Sequence, residues 1–167
     1  MSTTTCIVIM TVCLILSGYF SATETAFSSA NTTRLKTLAE KGNKRAALVC
    51  KLLERYDRLL STILIGNNIV NIATASIGTV LFVRHYGDAG ATISTVVVTV
   101  VVLIFGEISP KSIAKDCAEQ WAMLSAPMLQ VLIWIFTPLN AIFRSGKSCW
   151  RRSSASAPTT KCRRRSF

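Results

Sequence analysis

Four stretches of this chain are apolar over roughly the length of a bilayer crossing, and they are unevenly spaced. The first covers residues 6–30, CIVIMTVCLILSGYFSATETAFSSA, and the second residues 60–83, LSTILIGNNIVNIATASIGTVLFV. The third covers residues 91–108 and the fourth residues 121–143. A membrane-crossing helix needs ~20 such residues, so each is a candidate. Between the first and second lies a segment rich in both charge signs. There Leu35, Leu38, Leu48, Leu52 and Leu59 recur at helical intervals, and Gly42-Asn43 makes a break. This pattern predicts an amphipathic helical hairpin lying at the membrane surface. RHYGDAG predicts a short turn between the second and third stretches, and Pro110 with Lys111 and Lys115 marks the end of the third. Pro127 and Pro138 interrupt the fourth, which predicts a bent, membrane-embedded hairpin.

Charge then decides the topology. Half of the chain is hydrophobic, and the net charge is +11. Residues 1–143 hold eleven Lys/Arg against eight Asp/Glu, whereas residues 144–167 hold eight Lys/Arg and no acid. The segment between the first two stretches carries eight Lys/Arg and is expected on the cytoplasmic side. The N-terminus is then outside, the RHYGDAG turn outside, and Lys111 inside. If the fourth stretch folds back, the basic tail also stays inside, against anionic lipid. The expected architecture is therefore all-α and integral to the membrane: three transmembrane helices, the juxtamembrane hairpin and the bent, Pro-interrupted hairpin. It divides into a membrane domain, residues 1–143, and a basic, disordered cytoplasmic tail, residues 144–167. The first stretch has no Lys or Arg before it, so it is expected to be a retained span rather than a cleaved leader. The six cysteines form no CxxC pair and lie far in sequence from the single histidine, His85, so zinc ligation has no support. Membrane lipid explains the basic tail better than nucleic acid does.

Polar residues inside apolar stretches are costly, about 2.5–3.5 kcal/mol for an ionisable group at mid-helix, so their positions carry information. Three clusters stand out. Ser17, Ser21, Glu24 and Ser28 are spaced +4, +3, +4 and form one helical stripe, with Gly18 allowing a close neighbour. Alternatively, the first span ends near Phe20 and the rest is solvated. The second cluster, GNNIVN, holds Gly66, Asn67, Asn68 and Asn71, with Asn67 and Asn71 sharing a face and the stripe continuing to Thr74 and Gly78. Its alternative role is interhelical hydrogen-bond glue. In the third cluster, GEISPK, Gly106 and Pro110 flank Glu107 and would unwind the helix and free backbone carbonyls. The plain alternative is a helix end. Together the clusters put hydroxyl, amide, carboxylate and backbone oxygens on three spans. Such hard donors suit Mg²⁺, Ca²⁺ or Na⁺ rather than Zn²⁺ or Cu⁺. No nucleophile–base pair, P-loop or GxGxxG is visible, so the chain is not expected to be an enzyme.

SGYFSATETAFSSANTTRLKTLAEKGNKRA, LLERYDRLLSTILIGNNIVNIA and VLIFGEISPK, in that order, resemble the CNNM/CorC transmembrane domain of magnesium transporters and related hemolysin-like proteins. The likeness covers residues 7–143. It implies three transmembrane helices, a juxtamembrane hairpin, a belt-like bent hairpin and a homodimer in the cell membrane. It also implies a dehydrated Mg²⁺ near the bilayer centre, exported with Na⁺ as the coupling ion. The matching metal positions are Ser17, Ser21, Asn67, Asn71, Gly106 and Glu107. Glu24, Asn68 and Pro110 match the motifs and are assigned to helix packing or shaping of the site. Family members usually continue into nucleotide-binding CBS modules, whereas this chain reads RSGKSCWRRSSASAPTTKCRRRSF after Phe143, so no nucleotide is expected to bind. That ending is expected to be a natural disordered tail or the product of a frameshift or premature stop. The rival expectation is a non-transporting membrane sensor, a regulatory protein or an inactive truncation.

Overall fold

Residues 2–136 are described by a computed structural model, and among them every regular element is helical. Helix α1 spans Thr3–Ser29, α2 Thr32–Glu40, α3 Lys44–Leu53 and α4 Tyr56–Tyr86. A 3₁₀ turn at Gly87–Ala89 leads to α5, Gly90–Val101. A π-helical segment, Val102–Ile108, then joins α5 to α6, Ser109–Asp116, and α7 follows at Ala118–Ile135. The junctions on both sides of the π segment keep right-handed helical angles, so residues 90–116 form one continuous rod. At 1.5 Å per residue, α1 and this rod are each about 40 Å long and α4 about 46 Å, more than the ~30 Å hydrocarbon thickness.

Two stretches, Thr3–Ser29 and Tyr56–Asp116, are apolar and long enough to cross a membrane, and the second is folded in two at Gly87. Soluble core helices would bury such segments, but only 28% of each apolar window is inside the protein. The distribution is inverted from that of a soluble domain. Ile15 and Ile72 are each 67% exposed, while Ser17, Ser21 and Thr23 are fully buried. Apolar residues outside and hydroxyls inside is the arrangement a lipid solvent selects.

Local sequence explains the breaks. The Asn31 side chain caps α2 by accepting from the amides of Thr33 and Arg34, and Asn43 caps α3 by accepting from those of Arg45 and Ala46. Gly42, at φ +90°, supplies the turn between them. Leu35, Ala46, Val49, Leu59 and Ile63 bury one face of this region together with Phe20, Phe27 and Leu129, which packs α3 onto α7 and both α4 and α7 onto α1. An Arg34–Glu119 ion pair at 2.9 Å ties α2 to α7. The Trp121 indole Nε1 donates to Thr23 Oγ1 at 3.2 Å and joins α7 to α1.

Three sequence expectations are corrected. Gly106 and Pro110 do not unwind the chain at Glu107, because it shifts into π register instead. The third apolar helix does not stop at Pro110; the proline follows the π segment and is carried within the continuous rod. Pro127 lies inside α7 without ending it. Pro138, the rest of the expected bent hairpin and the basic tail fall outside the described residues.

Candidate cation site

The helix α1 stripe turns inward where α4 and the π segment meet it. Ser17 Oγ lies 2.7 Å from Asn71 Oδ1 and 3.1 Å from Asn67 Oδ1. A hydroxyl has one proton, so Ser17 donates to one amide oxygen at a time and presents a lone pair to the other. The sense of the Asn71 amide is set from the far side, where its Nδ2 donates to Glu107 Oε1 at a long 3.4 Å. Its oxygen is thereby turned toward Ser17. Three oxygens from two helices thus face one another with a single proton between them, and one carboxylate stands behind. Asn67 and Asn71 fall on one face by their four-residue spacing, and Gly66 permits the approach: a Cβ there would lie 2.6 Å from the Phe20 ring.

Gly106 completes the wall. It is buried, and a Cβ on it would lie 3.0 Å from Ser17 Oγ. The π register has a second consequence. The Ser109 amide bonds to Ile104 O, five residues back, and Pro110 has no N–H. The Phe105 carbonyl therefore loses both donors that a helix could offer it. That oxygen faces α1, 3.5 Å from where a Cβ on Gly18 would stand, and the Pro110 ring packs 3.2 Å from the same point. The register shift, rather than unwinding, thus takes the i+4 and i+5 donors away from this carbonyl.

The other residues singled out in the sequence fall into three groups. Ser21 is fully buried on the same stripe, and its hydroxyl has no hydrogen-bond partner among the described residues. Such an orphan is what a withheld ligand position looks like, since an unpaired buried hydroxyl costs about 1–3 kcal/mol. Glu24 pairs with Lys111 at 3.5 Å across α1 and α6, half-exposed, and Ser28 is exposed. Asn68 is exposed on the outside of α4 and is not brought to the site. Among the described residues there is no group of three His, Cys, Asp or Glu that could hold a metal, so the donor set is mostly neutral oxygen.

Sequence reasoning missed one feature. A cleft of about 280 Å³ opens between α4 and α5 and reaches Asn71 and Glu107, lined by Thr79, Ser94, Thr95 and Thr99. The signal was present in the sequence: Thr95, Thr99 and Glu107 fall on a four-residue stripe, hidden inside a run of valines.

A bundle whose helices exceed the bilayer thickness, with lipid-compatible surfaces and a polar interior, is a helical membrane protein. Comparison with known proteins gives the family: a family model described as "Cyclin M transmembrane N-terminal domain" matches residues 8–148, and the chain belongs to this CNNM family. It is 49% identical over 135 residues to a UPF0053 protein of Haemophilus influenzae, covering 81% of this chain and 32% of that protein. It is 46% identical over 136 residues to the UPF0053 inner membrane protein YfjD of Escherichia coli, covering 77% of this chain and 31% of that one. A UPF0053 protein of Synechocystis, sll1254, is 32% identical over 126 residues, or 75% of this chain and 36% of its own length. The chain thus spans about a third of the length of these relatives.

Proposed function

We propose that this chain is the membrane core of a Mg²⁺ transporter, with Ser17, Ser21, Asn67, Asn71, Gly106 and Glu107 forming the ion site. The observation that carries this is the convergence of Ser17 Oγ, Asn67 Oδ1 and Asn71 Oδ1 within 2.7–3.1 Å inside apolar helices. Mg²⁺ binds oxygens at roughly 2.0–2.1 Å in an octahedron, which places neighbouring ligands about 2.9 Å apart. Ca²⁺, with arms of roughly 2.3–2.6 Å and often seven ligands, has equatorial edges of about 2.7–3.1 Å, so this spacing admits either ion. A cation held here would be ligated by a Ser17 lone pair, with the hydroxyl proton turned away from the two amide oxygens. Gly106 and Phe105 would contribute backbone oxygen, and Ser21 the partnerless hydroxyl one turn away. A single carboxylate offsets half of the divalent charge, which favours release as well as binding.

The transport reading comprises three crossings, formed by α1, α4 and the 90–116 rod, with the N-terminus outside and the α2–α3 hairpin cytoplasmic. The eight Lys/Arg between α1 and the apolar part of α4 support that orientation. The π segment is the mobile joint about which the site would open to each side in turn. Export of Mg²⁺, Na⁺ coupling and a homodimer belong to the same proposal and come from the family resemblance. A second reading, a membrane protein that does not move ions, is favoured by one observation: Ser17, Asn67 and Asn71 already bond one another, as helix glue would. Mg²⁺ titration of thermal stability separates the two. An ion site gives a Mg²⁺-dependent rise that Asn71→Ala removes, whereas glue gives a loss from Asn71→Ala that Mg²⁺ does not change.

A further inference from the structure

The cleft between α4 and α5 is unlike the rest of the outer surface of these helices. Its apolar surroundings include Val96, which is 61% exposed. Its lining sets Asn71, Thr79, Ser94, Thr95, Thr99 and Glu107 among Ala75, Val98, Val102 and Leu103. Two of the threonines have already used their protons: Thr79 Oγ1 donates to Ala75 O at 3.0 Å and Thr95 Oγ1 to Ala91 O at 2.9 Å. Their hydroxyl oxygens keep lone pairs that can accept. Ser94 is only 1% exposed, and its hydroxyl has no partner among the described residues. Gly78 makes room for it: a Cβ there would lie 3.3 Å from Ser94 Oγ. A row of acceptor oxygens ending in a single carboxylate attracts cations and repels anions.

The dimensions fit water as well. The volume, about 280 Å³, is several times the ~30 Å³ that one water occupies in the liquid. Along α5 and the π segment, thirteen residues separate Ser94 from Glu107, a path of about 20 Å at 1.5 Å per residue. Ser94 is one helical turn from Gly90, where the rod begins beside the 87–89 turn.

We propose that this cleft is a water-filled, cation-selective vestibule connecting the Asn71–Glu107 end of the site to the membrane face that carries the 87–89 turn. It rests on the cation-site reading above. In it a hydrated cation exchanges its outer waters for threonine and serine oxygens before meeting the carboxylate.

The test uses the full chain with its six native cysteines replaced, first checked for parental Mg²⁺-dependent thermal stabilisation. Thr95→Cys and Thr99→Cys are each reconstituted and exposed to a membrane-impermeant, positively charged thiol reagent from the turn side, with Val96→Cys as the lipid-facing reference. The vestibule predicts that both react at least about tenfold faster than Val96→Cys and that Mg²⁺ slows their reaction. The attached cationic group should cut Mg²⁺ flux by a similar factor. Reaction of both no faster than at Val96→Cys overturns the proposal. So does labelling that leaves Mg²⁺ flux unchanged in a parent that transports. If the parent shows neither Mg²⁺ stabilisation nor flux, the cation-site reading has failed; the thiol rates then still decide whether the cleft is wet.

Discussion

Gly106→Ala tests the site with the smallest available perturbation. The new methyl would stand 3.0 Å from Ser17 Oγ and 3.4 Å from Leu14 Cδ1. Ordinary contacts begin near the second distance, so Ser17 must retreat by a few tenths of an ångström. Two energies compete in the ion-free protein. Alanine restores about 1 kcal/mol of helix propensity relative to glycine, and overpacking costs about 1–3 kcal/mol. The net change in unfolding stability should be modest, no more than about 2 kcal/mol. Ion binding has no such compensation. A site works only if its ligands are held within ~0.5 Å, and Mg²⁺ tolerates little departure from octahedral geometry. A shift of Ser17 consumes most of that tolerance, and the expected loss is at least tenfold in Mg²⁺ affinity, about 1.4 kcal/mol. The assay is a Mg²⁺ titration of the thermal unfolding midpoint in detergent, followed by tryptophan fluorescence. A variant that folds and keeps the parental titration midpoint would show that Ser17 does not reach the ion, and the proposed ligand set would be wrong.

Two further substitutions separate packing from binding. Gly66→Ala puts a methyl 2.6 Å from the Phe20 ring, so stability should fall by about 1–3 kcal/mol, and Phe20→Leu in the same chain should recover most of it; absence of rescue would mean that this contact does not set the α1–α4 approach. Ser21→Ala removes a buried hydroxyl that has no partner among the described residues. The ion-free protein should melt at the same temperature or higher, because an unsatisfied group costing about 1–3 kcal/mol is gone, while the Mg²⁺ response weakens. A lower melting temperature with an unchanged Mg²⁺ response would assign Ser21 to structure alone.

Much of this arrangement is legible in the sequence because lipid makes polar residues conspicuous. Ser17 and Ser21, and Asn67 and Asn71, share faces by helical spacing alone, and a carboxylate at Glu107 needs a reason to be there. The hairpin break at Gly42-Asn43 and the reversal at Gly87 are readable because both glycines adopt positive φ. The π register is not readable. A glycine four residues before a proline looks like a helix end, and only packing of Pro110 against Gly18 shows why the helix continues. Asn68 matched a motif as well as its neighbours did, yet one residue is a 100° step around a helix and leaves it outside. The Pro127 expectation failed because a proline weakens a helix without dictating its end when neighbouring helices hold it in place. The stripe of Thr95, Thr99 and Glu107 was overlooked for the opposite reason: in a valine-rich helix its threonines read as ordinary β-branched residues.

The central claim is that Ser17, Asn67, Asn71 and Glu107 hold a transported Mg²⁺. Its most direct test is Mg²⁺ flux into proteoliposomes containing this chain, run beside Asn71→Ala and Glu107→Gln. Asn71 links the two halves of the site, since it accepts from Ser17 and donates to Glu107. Parental flux that both substitutions abolish, in proteins that remain folded, is the expected result. Flux that survives both substitutions would contradict the site, and a folded parent with no flux and no Mg²⁺-dependent stabilisation would contradict the function.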